Sequence, residues 1–316
     1  MIEIFYKTQS ATYESTCEIK DLETLDRASV LWLDLFDPSG EEKRAVEEYL
    51  HTTLQTRAQA EEIESSSRYS EDDTSIFINT NFLIPSPESY SMESVSFILC
   101  GSTMVSVRQM PLRSFTDIQR RIVSGIRYYP TGFHILMGIL DTRIDLDADM
   151  IELMSKELDQ YNKRVSLGED VGEDFLIDIN QLQDNTMMVR ENIVDKQRML
   201  SSILKSEKTP DEINSKISVL LKDISSLINH TNFIFERLEY LQNTVLGLIN
   251  LDQNKIMKVF TLVSLLLMPP TLITSFYGMN VKLPLLGGNA DFILVCAMMF
   301  LIVFVVIWIF RRKKML

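Results

Sequence analysis

The residues best placed to do chemistry lie near the C-terminus. A long apolar stretch ends in the polar turn Tyr277-Gly278-Met279-Asn280, and a second apolar stretch follows. Within the first stretch Asn254, Met257, Thr261, Ser264, Met268, Thr271 and Ser275 recur at spacings of three and four. That spacing lines them along one face of a helix. They offer amide, hydroxyl and thioether groups and no carboxylate. Such groups are poorly equipped to strip water from a cation. They are better equipped to hydrogen-bond the waters it carries, with the Asn280 side-chain oxygen as acceptor. One helix cannot enclose a pore, so the stripe lines a channel only if several copies assemble. Small polar residues also let helices pack closely, and periodicity leaves both readings open.

The elements that must position these groups are two membrane spans. The segment from Ile256 to Phe276 carries Lys258 near its start and no other charge, and Phe292 to Phe310 carries none. At about 1.5 Å per residue each can cross a hydrocarbon core of about 30 Å. The loop between them is too short to cross back, so both outer ends lie on one side, with Lys255, Lys258, Arg311, Arg312, Lys313 and Lys314. The positive-inside rule makes that side cytoplasmic and turns Gly278-Met279-Asn280 outward. Met1 to Tyr6 lacks the basic and apolar regions of a signal peptide. The expectation is a cell (inner) membrane protein with two spans and both termini cytoplasmic. Pro269-Pro270 should kink or loosen the first span.

Upstream, Leu220, Ile224, Leu227, Thr231, Ile234, Leu238, Leu241, Val245 and Leu248 alternate spacings of four and three, a heptad seam of about four heptads. With no proline between Asp211 and Met268, one helix is expected from Asp211 to Phe276, on the order of 100 Å long. A helix of that length should lie against copies of itself or other helices. Helical stretches are also expected over 135–165 and 170–206. The first carries Asp141, Asp145, Asp147, Asp149, Glu152, Glu157 and Asp159, and Glu169, Asp170, Glu173 and Asp174 continue the trend. This is either a solvated face or a subunit interface whose carboxylates repel until divalent cations neutralise them. Two carboxylates about 4 Å apart repel by about 4 kcal/mol at an effective dielectric of about 20.

The first 130 residues read as a sheet flanked by helices. Strands are expected at Ile2–Tyr6, Val30–Phe36, Ser75–Ile84, Ser94–Leu99 and Thr103–Arg108, and helices near Glu41–His51, Thr56–Ser65 and Leu112–Gly125. The division is thus 1–130, an α/β domain; 131–253, helices and stalk; and 254–316, the membrane hairpin with a basic tail. A net charge of −13 argues against nucleic acid as a partner. The scattered Cys17, Cys100 and Cys296 form no disulfide framework or thiolate zinc site. His51, His134 and His230 are equally scattered, and no catalytic constellation is visible, so an enzyme is not expected.

These residues resemble the CorA family of divalent-cation channels. The likeness rests on Tyr277-Gly278-Met279-Asn280, which contains the family's Gly-Met-Asn signature, at the outer end of the first of two C-terminal spans. The preceding span, Asn254 through Thr271, and the closing basic cluster support it. Val30-Leu31-Trp32-Leu33-Asp34-Leu35-Phe36-Asp37-Pro38 looks like the family's early core strand. Glu61-Glu62-Ile63-Glu64 with Arg68-Tyr69 looks like its acidic helix and the strand entry beyond. The resemblance implies a cytosolic α/β domain, long stalk helices and two transmembrane helices in a funnel-shaped homopentamer. It implies Mg²⁺ influx driven by the membrane potential, with Gly278, Met279 and Asn280 as the outer ring. Asn254, Met257, Phe260, Thr261, Ser264, Met268 and Thr271 become pore-lining positions, with Met257 and Phe260 forming an apolar constriction. Arg311, Arg312, Lys313 and Lys314 become a basic ring at the exit. Mg²⁺ gives up its water reluctantly, so passage of a largely hydrated ion is expected.

The sequence departs from the family in two places. After the signature an acidic Met-Pro-Glu-Leu run is usual; here stands Val281-Lys282-Leu283-Pro284-Leu285-Leu286, with Asp291 at the loop's far end. The regulatory metal pair of some members has no clear counterpart. Its stalk position falls at Asn243, and only Glu88 and Glu93 lie near its sheet position, which leaves the acidic helices as the better place for regulatory Mg²⁺. Co²⁺, Ni²⁺ or Zn²⁺ transport by the same fold, and a membrane-anchored sensor or scaffold, are the alternatives.

Overall fold

The structure, a computed structural model, describes residues 1–8, 13–55, 68–86, 90–125, 128–169, 172–279 and 289–312. The expected helix Thr56–Ser65, with Glu61 to Glu64, lies outside the described residues, as do Glu88 and Asp170. Two compact units result, Met1–Gln242 and Asn243–Leu316.

The first unit is built on a seven-stranded sheet of β1 (Ile2–Lys7), β2 (Tyr13–Thr16), β3 (Val30–Phe36), β4 (Tyr69–Glu71), β5 (Ser75–Ile84), β6 (Ser91–Cys100) and β7 (Thr103–Arg108). The strand order is β2-β1-β3-β7-β6-β5-β4, with β3–β7 parallel and the other pairs antiparallel. Helix α1 (Gly40–Leu50) lies between β3 and β4, α2 (Arg113–Val123), α3 (Gly132–Ser166) and α4 (Glu173–Lys205) follow β7, and α5 (Asp211–Tyr277) begins beyond them. Ser39 starts α1 with a capping box: its hydroxyl accepts from Glu42 N–H while the Glu42 carboxylate accepts from Ser39 N–H. Gly132 is needed where α3 meets β7, because a Cβ there would stand 2.5 Å from Met104 N.

The core is apolar and aromatic. Trp32 stacks on Phe5 at 4.8 Å, and Phe115 sits 5.9 Å from Trp32, Phe82 and Phe97. Asp34 is buried in it. Its carboxylate accepts from Arg108 Nη2 at 2.8 Å, Ser106 Oγ at 2.7 Å and Gln119 Nε2 at 3.0 Å. Buried charges stand where such partners compensate their lost hydration.

A second polar cluster fixes the long helices to the sheet. β4 pairs β5 only over Ile76–Ile78, which leaves the outer edge of β5 beyond it without a strand partner among the described residues. Helix side chains occupy that edge. Arg143 Nη1 donates to Leu83 O at 2.9 Å, and Asn192 Nδ2 and Lys196 Nζ donate to Asn81 O at 2.7 and 3.2 Å. Asp147 then pairs with both cations, Arg143 on its own helix and Lys196 at 3.3 Å from α4. An edge capped this way cannot recruit another strand. Asp147 therefore leaves the acidic face expected from sequence: it is 1% exposed and internally paired.

The heptad seam is covered within the chain. Leu220, Ile224, Thr231, Ile234, Leu238 and Leu241 are buried. Arg190–Asn232 at 2.7 Å, Gln242–Asn180 at 2.9 Å and Arg237–Asp159 at 2.7 Å tie α5 to α4 and α3. Of the two partners sequence allowed, the chain's own helices provide this cover.

Candidate functional site

The second unit holds the end of α5 and helix α6 (Asn289–Arg312). Both are long and apolar enough to cross a membrane. α5 runs without a break through Pro269 and Pro270 to Tyr277, one residue beyond the expected end. Gly278 closes it: its N–H reaches Thr274 O at 2.8 Å, and an added Cβ would press on that same oxygen at 3.1 Å. Met279 N–H reaches Phe276 O at 3.4 Å and its side chain is exposed. Asn280, Val281 to Leu286, Lys313 and Lys314 lie outside the described residues.

The two faces of α5 differ. At about 100° per residue, Leu262, Leu266, Pro269, Ile273 and Tyr277 share one face, and all are half-buried. Periodic cover of that kind must come from outside the helix. On α6 the positions Val295, Met299, Ile302, Val306 and Phe310 show the same half-burial at spacings of three and four. The expected polar stripe lies on the opposite face of α5. Asn254, Met257, Thr261, Ser264, Met268, Thr271 and Ser275 are all exposed, with Met257 62% and Met268 71% accessible. Phe260, placed with them by resemblance, is also exposed, and it stands beside Thr261 on the stripe's border.

Two of the hydroxyls along the stripe, those of Thr261 and Thr271, are oriented. Thr261 Oγ1 donates to Met257 O at 2.7 Å, and Thr271 Oγ1 donates to Leu267 O at 2.8 Å. With the proton committed to the backbone, each oxygen turns lone pairs outward and acts as an acceptor. Waters held by a cation present their protons outward, and oxygens so turned can accept from them. The stripe's side chains carry no charge. At the far ends of the two helices from Gly278, Lys255 pairs with Asp252 at 2.7 Å and Arg311 and Arg312 end α6.

In the first unit, burial and the neighbouring Asp141, Asp149 and Asp223 push the Asp145 carboxyl upward. Asp223 comes from α5, so the acidic face of α3 meets the stalk. Among the described residues no group of three or more His, Cys, Asp or Glu is arranged to hold a metal. Asn243 is exposed, and Glu93 accepts from Gln109 N–H at 3.1 Å. Sequence reasoning missed the Asp34 and Asp147 clusters, whose partners are distant in the chain.

Residues 27–312 match the family described as CorA-like Mg²⁺ transporter protein. A magnesium transport protein CorA of Wolinella succinogenes is 33% identical over 296 residues, covering 92% of this chain and 92% of that protein. One of Campylobacter jejuni is 31% identical and covers 99% of each. The complete structure of the CorA magnesium transporter from Methanocaldococcus jannaschii superposes with a TM-score of 0.81 at 20% identity, over 99% of this chain and 98% of that one. By sequence across most of its length, with a fold to match, the chain belongs to the CorA family.

Proposed function

We propose that the chain is a Mg²⁺ channel in which several copies place the polar stripe of α5 around a common pore. The observation that carries this reading is the stripe's position opposite the half-buried face of α5, uncharged and with the Thr261 and Thr271 oxygens as acceptors. Five copies, as the family resemblance implies, would form the funnel. Gly278, Met279 and Asn280 would ring its outer mouth, and Met257 and Phe260 would narrow its inner end. Acceptors without carboxylates bind the water shell and leave the ion hydrated, which suits Mg²⁺ above ions that shed water readily. The basic end of the hairpin faces the cytoplasm, so a membrane potential draws the ion inward at about 2.3 kcal/mol per charge per 100 mV.

The test is uptake into liposomes containing the purified protein, with Mg²⁺, Co²⁺, Ni²⁺ and Zn²⁺ compared. Mg²⁺ uptake should appear and should be abolished by Asn280→Ala. Normal uptake by that variant would refute the filter, and absence of flux for all four ions would favour a membrane-anchored scaffold.

A further inference from the structure

We infer that the end of the hairpin where α5 enters and α6 leaves binds the headgroup of an anionic phospholipid, through Trp308 and Arg312. This rests on the reading above that the polar stripe of α5 faces a pore.

Helix α6 has a second face. Opposite its half-buried positions, Leu301, Phe304, Trp308 and Arg312 follow one another at spacings of three, four and four. Leu301, Phe304 and Trp308 are 63%, 69% and 52% exposed. The Arg312 guanidinium lies 5.2 Å from the Trp308 ring centroid. A row of large apolar side chains thus ends in an indole with one polar N–H and then in a cation stacked on it. That sequence of chemistries follows a phospholipid from acyl chain to phosphate. Tryptophan settles at the membrane boundary, and a guanidinium matches phosphate oxygens with two parallel donors.

Helix α5 adds charge at the same depth. Lys258 precedes Tyr277 by about as many residues as Trp308 follows Asn289, which puts both roughly 28 Å from the turn at about 1.5 Å per residue. Lys255 and Lys258 share the helix face of Leu262 and Leu266, on the side away from the stripe. From residue 243 to 312 the sequence holds two acids, Asp252 and Asp291. Asp252 pairs with Lys255, and Asp291 stands near the opposite end of the hairpin. Among the described residues, Lys258, Arg311 and Arg312 pair with no carboxylate of this unit, and an outside anion can meet them. Arg312 lies on the face of α6 opposite its half-buried positions.

The test uses full-length protein in vesicles mixing phosphatidylcholine with phosphatidylglycerol, one of the two brominated on its acyl chains. The protein has two tryptophans, and Trp32 is fully buried in the first unit, so acyl-chain bromine quenches Trp308 alone. Brominated phosphatidylglycerol should quench with a relative binding constant about fivefold above that of brominated phosphatidylcholine, the preference one basic residue gives near an anionic surface. Arg312→Gln should bring the ratio close to one, and Arg312→Lys should keep most of it. Equal quenching by the two lipids in the unaltered protein, or an unchanged preference in Arg312→Gln, overturns the assignment. Mg²⁺ uptake is read in the same vesicles. Uptake without lipid preference overturns this assignment alone. Absence of uptake overturns the channel reading, while the fluorescence ratio still decides the lipid site.

Discussion

Replacing Asp147 by asparagine removes one charge without removing volume, and the buried cluster around it gives the cost. Lys196 is fully enclosed, and burial pulls its ammonium down to about 8 even with Asp147 beside it. At neutral pH it is therefore still charged, and it shares Asp147 with Arg143, itself 5% exposed. The variant would leave two cations in the core around a neutral amide. At the 3.3 Å separating Lys196 from Asp147, an effective dielectric of about 20 gives an attraction of about 5 kcal/mol. Removing one member of a buried pair typically costs about 3–5 kcal/mol. The assay is urea unfolding in detergent on a Trp308→Phe background, where Trp32 alone reports on the first unit. With a slope of about 3 kcal/mol per molar urea, the midpoint should fall by roughly 1 to 1.7 M. Glu152→Gln, which breaks the exposed Lys156 pair on the same helix, should leave the midpoint where it is. If Asp147→Asn moves the midpoint no further than Glu152→Gln does, the cluster does not hold α3 and α4 to the edge of β5.

Two more outcomes follow from particular positions. Lys196 ionises at about 8 in the folded chain against 10.5 in its ordinary state. Between those values the unfolded chain holds more protons, so stability rises with pH, while below about 8 the full cost of burying the charge is present. The stability of the unaltered protein relative to Lys196→Met should thus climb by up to about 3 kcal/mol from pH 8 to 10.5, read from the same urea midpoints; a flat difference would contradict the burial of this charge. On α5, an aspartate at Leu266 enters the covered face and should cost about 2.5–3.5 kcal/mol of membrane insertion, seen as loss of membrane-integrated protein. Ser264→Asp, on the stripe, should lose less membrane-integrated protein than the Leu266 variant, because water in the assembled pore would hydrate it, and should lower the Mg²⁺ concentration for half-maximal flux; the reverse pattern would put the pore on the wrong face.

Much of the first unit is legible because its strands bury one or both faces in runs of six or more residues. Val30–Phe36, Ser75–Ile84 and Thr103–Arg108 appear in the structure with the bounds their apolar pattern suggests. The strands that pattern misses, Tyr13–Thr16 and Tyr69–Glu71, are four and three residues long, polar, and at the two ends of the sheet. Nothing local makes them strands; pairing with β1 and β5 does. Asp34 and Arg108 are 74 residues apart, and Asp147 reads as one carboxylate among many on an acidic helix. Their burial is a tertiary fact, and no spacing rule reaches it.

The stalk and the pore helix show what periodicity does and does not carry. Leu220 to Leu241 keep a heptad seam, and any apolar partner can cover such a seam, so its spacing could not choose between copies of the chain and the chain's own helices. Arg190, Asn180 and Asp159 show that α4 and α3 meet α5 there. The stripe from Asn254 to Ser275 is more selective. In a bilayer a row of amide, hydroxyl and thioether groups is matched by few surfaces, chiefly water or another polar helix face. The hairpin partner α6 is apolar, and the half-buried face of α5 is the opposite one. The polar row is therefore not spent on packing the hairpin, which removes one of the two roles that sequence left open for it within the chain. It is the face that the proposed assembly would turn toward its other copies and the water between them.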